Sequence, residues 1–140
     1  MRKIQKLHAY IEQHRYAPFA WGVNDCCTFA ADWVRELTGQ DTMAALRAST
    51  ARQASRSIAA LGGLDAAVKT QLQACGIQYV QHEFVGLPGS LILFKTTRAS
   101  KYSSHSIGIC LGAVIAAPSI EGLAFMRLQA HRVVCALELI

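Results

Sequence analysis

The chain has 140 residues, of which 52% are hydrophobic and 16% charged. That is the size of one ordinary domain with room for a sizeable core, and it excludes a disordered polyelectrolyte. The net charge is +5, with Arg2, Lys3, Lys6 and Arg15 near the start. No run of five like charges and no stripe of basic residues interleaved with aromatics occurs, so nucleic acid is not an expected partner.

Ile4, Leu7 and Ile11 recur at helical spacing and predict a first helix. A loop with Pro18 and Gly22 follows. Asn24 or Asp25 can cap a second helix that stops at Gly39. Its expected buried stripe is Cys26, Phe29, Ala30, Trp33 and Leu37. Residues 43–60 and 64–74 are Ala-rich and periodic, which predicts one or two more helices. After Gly76 the texture changes to short β-type runs: IQYV, SLILF, SIGICL, VIAA, LAFMRL and HRVVCALEL. Helices followed by strands predict an α+β domain over 1–140, with N-terminal helices on a C-terminal antiparallel sheet.

The five cysteines, Cys26, Cys27, Cys75, Cys110 and Cys135, contain no CxxC pair. Neither a disulfide framework nor a zinc site is suggested, and Cys75, Cys110 and Cys135 read as small buried hydrophobes in a reducing compartment. The glycines form no phosphate loop and the aspartates no metal spacing, so no cofactor or metal is expected. The N-terminus lacks the apolar core of a signal peptide, and the low-charge stretch 106–120 is too short to span a bilayer. A soluble protein with no stable membrane insertion is expected.

A thiol at a helix N-terminus is the strongest chemical signal. Unpaired N–H groups and the positive end of the helix dipole stabilise a thiolate there. Cys26 fits that place and also fits the apolar stripe, so nucleophile and core residue both stand. A nucleophile needs a histidine from elsewhere in the fold. Of His8, His14, His82, His105 and His131, His105 is the best placed, because it directly precedes the SIGICL run. Asp25 reads as a capping residue, and Phe19 and Trp21 as packing around the helix start or lining of a cleft.

The stretch PFAWGVNDCCTFAADWVRELTG resembles the nucleophile region of the NlpC/P60 peptidases, a papain-like family. It is most similar to a small branch encoded among phage tail genes. The features are Pro18-Phe19-Ala20-Trp21-Gly22, Asp25-Cys26, Ala31-Asp32-Trp33 and Thr38-Gly39-Gln40-Asp41. Pro88-Gly89-Ser90 and the strand through Gly108 resemble the family's Pro-Gly-Asp and His-x-Gly-Ile strands. The resemblance implies a papain-like fold, with Cys26 and His105 as the catalytic pair. Five departures accompany it, the first being Asp25-Cys26-Cys27-Thr28 where the family has Asp-Cys-Ser-Gly. Ser106 stands where the family has its histidine, with His105 one residue earlier. Ala116 stands near the place of the orienting polar residue. Phe19 replaces the usual Tyr, and Ser90 the usual Asp.

Two expectations follow from the resemblance. One is a structural tail-tip or tail-assembly component of the virion, catalytically degenerate, whose partners are other tail proteins. The alternative is an active cysteine endopeptidase or amidase acting on peptidoglycan stem peptides during infection. A free-standing cytoplasmic hydrolase or toxin is a third reading.

Overall fold

The computed structural model describes residues 2–21, 23–42, 50–83, 86–96, 105–127, 129 and 132–140. The helical expectation for 43–49, and His131, lie outside them. Four helices precede six strands: α1 (Lys3–His14), α2 (Cys26–Thr38), α3 (Ala51–Ala60), α4 (Leu64–Ala74), β1 (Tyr79–His82), β2 (Leu91–Lys95), β3 (His105–Cys110), β4 (Ile115–Ser119), β5 (Gly122–Met126) and β6 (Val133–Leu139). The α+β expectation holds, and each β-type run contains one strand.

The sheet order is β1-β6-β2-β3-β4-β5 and every pairing is antiparallel. The last strand inserts between β1 and β2. Alternation then sorts the side chains into two faces. Leu91, Leu93, Ile107, Ile109, Cys135 and Leu137 pack against the helices in the main core. Ile92, Phe94, Cys110, Ile115 and Ala136 form a smaller cluster on the other face.

Helix α2 is central to the core. Phe29, Ala30, Trp33 and Val34 are buried, one stripe at helical spacing. The Trp33 indole N–H donates to the Gly89 carbonyl at 2.8 Å, which ties the helix to the entrance of β2. In α1 the buried residues are Leu7, Tyr10 and Ile11, while Ile4 faces outward. The Tyr10 hydroxyl donates to the Phe29 carbonyl at 2.6 Å and gives a buried phenol its partner. Cys110 and Cys135 are buried as expected, and Cys75 is half-buried. All five cysteines are free thiols. Among the described residues, no helix is long and apolar enough to cross a membrane.

Candidate active site

The site begins with a cap. Asp25 is extended at φ −100° and ψ 176°, and its carboxylate accepts from the Thr28 N–H at 2.8 Å. The Thr28 hydroxyl in turn accepts from the Asp25 N–H at 2.8 Å. This reciprocal pair starts the helix sharply at Cys26. Of the two possible caps, Asp25 therefore holds the position. Asn24 acts on the preceding loop instead. Its amide donates to the carbonyls of Ala17 and Pro18, at 3.0 and 2.9 Å, and folds that loop back.

Cys26 and Cys27 are the first two helical residues. Their N–H groups have no carbonyl one turn back to bond within the helix. The positive end of the helix dipole is concentrated at the same place.

Sheet topology brings β3 to this corner. β3 pairs with β4 at Ile109↔Ala116 and Cys110↔Ile115. Continuing that register would set Ile107 opposite Pro118. Ala116 and Pro118 share parity, so the N–H that proline lacks belongs on the β3 side. The ladder therefore opens at Ile107. Pro118 would leave the Ile107 carbonyl, not the N–H, without a strand partner; the Ile107 N–H favours the Cys26 thiolate. Gly108 lets the strands approach closely just beyond the fork, since a Cβ there would lie 2.8 Å from the Ala116 carbonyl oxygen.

Three groups favour the Cys26 thiolate: the Cys27 thiol, the Ser106 hydroxyl and the Ile107 N–H. The Cys27 hydrogen bond has the largest influence and favours the thiolate. Burial opposes it, the Ser106 hydroxyl and the Ile107 N–H reinforce it, and the Asp25 carboxylate opposes it. The result brings the Cys26 pKa down to about 7. The Cys27 thiol is pushed well above its ordinary value, first because it gives its proton to the Cys26 hydrogen bond and then because it is buried. Cys27 lines a small void of about 20 Å³ shared with Val34, Leu72 and Ile107. The two adjacent thiols are thus pushed in opposite directions, Cys26 toward thiolate and Cys27 toward thiol. The spacing of the sequence did not suggest this role for Cys27. Its position at the second residue of a capped helix was the available signal.

His105 is placed differently. It shares its parity on β3 with Ile107 and Ile109, whose side chains meet the helices. Its Nδ1 lies 3.3 Å from an Asp65 carboxylate oxygen on α4. Ser106, at the place of the histidine in the resembling family, is the β3 side chain that bonds Cys26. The groups that shift the Cys26 thiol are Cys27, Ser106, Asp25 and the Ile107 N–H. Ala116 is fully buried in the main core and carries no polar group to orient an imidazole.

Three further histidines, His82, His14 and His8, have partners or surroundings of their own. His82 pairs with Glu138 at 2.9 Å at the end of β1. His14 bonds the Tyr10 carbonyl from α1 and packs on the Tyr10 ring. His8 lines a groove between α1 and Phe125. Phe19 and Trp21 meet edge to face at 4.8 Å in the loop before the helix. Ser90 is buried beside Gly86, and its hydroxyl has no partner among the described residues. Among the described residues, no group of three metal-binding side chains occurs.

A family model described as a domain of unknown function, DUF6950, matches residues 1–136. The chain belongs to that family. No curated protein and no solved structure matches it.

Proposed function

We propose that this chain is a phage tail-tip or tail-assembly component built on a papain-like, NlpC/P60-type fold, and that it does not cleave amides. The observation that carries the second half is the Ser106 hydroxyl on the Cys26 sulfur. Amide hydrolysis needs a group that takes the thiol proton and returns it to the leaving nitrogen. A serine hydroxyl accepts no proton at neutral pH, so Cys26 holds the nucleophile's place without that partner. The tail assignment rests on the motif over residues 18–41 and on the fold class that agrees with it. Partners are then neighbouring tail proteins.

The test has two arms. A phage carrying Cys26→Ala with His105→Ala assembles and infects normally, and the purified protein releases no peptide from cell walls. Normal particles that fail to infect, with wall digestion lost alongside, would sink the reading.

The active endopeptidase is the second reading, and one observation favours it. His105 and Asp65 already form an imidazole–carboxylate pair one residue from Ser106. For hydrolysis that imidazole has to turn from Asp65 to Cys26.

A further inference from the structure

The two edges of the sheet are finished differently. At the β5 edge the chain covers itself, because the Leu123 N–H donates to the Arg15 carbonyl beyond α1 at 2.9 Å. At the other edge β1 lies open. The Ile140 N–H donates to the Gln78 carbonyl at 3.1 Å, and Val80 and His82 lie opposite Glu138 and Ala136. Gln78, Val80 and His82 therefore turn their main-chain groups to β6. Strand alternation turns those of Tyr79 and Gln81 outward. Among the described residues, none bonds these outward N–H and C=O groups.

A row of unpaired main-chain groups is a template for another strand, and lysine, proline or a bulge normally blunts it. Tyr79–His82 contains neither lysine nor proline, and its register with β6 is unbroken. Side chains leave the way clear as well. Gln81 and His82 point to opposite faces of the sheet and are both exposed. Val80, between them, is an apolar residue at 42% exposure.

A second copy of the same strand matches this edge group for group. Two β1 strands set antiparallel about a two-fold axis at Val80 place Tyr79 of each copy opposite Gln81 of the other. Every outward N–H then meets an outward C=O. Val80 faces its own counterpart in a non-hydrogen-bonded pair, the closer kind, where β-branched side chains pack well. His82 comes opposite Gln78 and keeps its partner Glu138, at 2.9 Å, within its own sheet. No like charges are set face to face. We propose that the chain forms a two-fold dimer by pairing β1 with β1, which joins two six-stranded sheets into one continuous sheet. The contact is short, less than the about 800 Å² per partner of a standard interface, so the dimer is weak and reversible. It involves no chemistry at Cys26 and stands apart from the reading of the thiol.

The test is sedimentation equilibrium of the full chain under reducing conditions, from low micromolar to millimolar concentration. A reversible monomer–dimer equilibrium is expected. Gln81→Pro removes an outward N–H and spares the ladder with β6. Half of the intermolecular bonds go with it, and the dissociation constant rises about tenfold or more. Val80→Asp sets two carboxylates on the axis and raises it by about as much. Both variants keep the wild-type far-UV circular dichroism. Under mild oxidation Val80→Cys is expected to form a dimer linked through residue 80, seen by peptide mapping and absent in wild type, while Gln81→Cys forms no link to itself. A chain that stays monomeric throughout leaves the edge to a strand of some other protein and overturns the proposal. So does a dimer that ignores both Gln81→Pro and Val80→Asp, or a link through residue 81 in place of 80.

Discussion

Cys26 and His105 meet at neighbouring residues of one strand, and they differ in what surrounds them. Cys26 meets the open edge of β3 and is served by two side chains and a backbone N–H. His105 points to α4 and is served by Asp65. Each half resembles part of a cysteine hydrolase: a stabilised thiolate in one place, an oriented imidazole in the other. A shift of one residue moves a side chain to the opposite face, so Ser106, not His105, meets the thiol.

The sharpest way to break this comparison is Ser106→His. It sets an imidazole beside Cys26 while the strand register stays. Cys26-dependent cleavage of a stem-peptide amide is expected to rise by about 10²-fold or more, the ordinary scale of general acid–base help. Unchanged cleavage in a folded variant would mean that the thiol lacks something other than an imidazole.

Support from beneath the corner is tested next. Trp33 is fully buried and donates to Gly89. Trp33→Ala is expected to cost about 3–5 kcal/mol in denaturant unfolding, through cavity formation and an unpartnered carbonyl. Asp25→Ala removes the helix cap and costs about 1 kcal/mol. Asp25→Asn keeps a capping oxygen and removes a charge that opposes the Cys26 thiolate. Its alkylation midpoint is therefore expected below that of wild type. A midpoint that rises instead would show the carboxylate acting by some route other than charge.

The smallest effect belongs to His105. Its pair with Asp65 is 3.3 Å long and about one-third exposed on each side. His105→Ala is expected to change stability by less than about 1 kcal/mol, because exposed pairs contribute little.

The sequence made some of this corner legible and hid the rest, for reasons that particular residues show. Capping is local chemistry, so Asp25 before Cys26 and Gly39 after Thr38 mark α2 within the chain itself; Gly39 has φ 79° and returns its N–H to Arg35. The β runs are equally local, and Ser90–Phe94 and Val133–Leu139 are plain in the pattern. Their order is not. The insertion of β6 between β1 and β2 depends on pairing across more than forty residues, as in Leu91↔Leu137. The α1 stripe was half right: Leu7 and Ile11 are inside, but Tyr10 takes the place expected of Ile4, because its hydroxyl finds the Phe29 carbonyl.

The site shows the same division. Cys26 at a helix start followed from neighbours in sequence. Ser106 and Ile107 act on the thiol from a strand about eighty residues later, which the fold alone brings to α2. The pairing of His105 with Asp65, forty residues earlier, has no signature in either segment. The one-residue offset of His105 was readable as a number, and its consequence depended on which face α4 covers.

The most direct measurement is the pH profile of Cys26 alkylation by iodoacetamide, read by peptide mass spectrometry, in wild type, Cys27→Ala, Ser106→Ala and His105→Ala. The wild-type midpoint is expected at about 7. Loss of the Cys27 donor raises it most, loss of the Ser106 donor raises it less, and loss of His105 leaves it in place. A midpoint that moves with His105→Ala and ignores Ser106→Ala would contradict the account, because it would put the imidazole, and not the strand-edge donors, at the Cys26 sulfur.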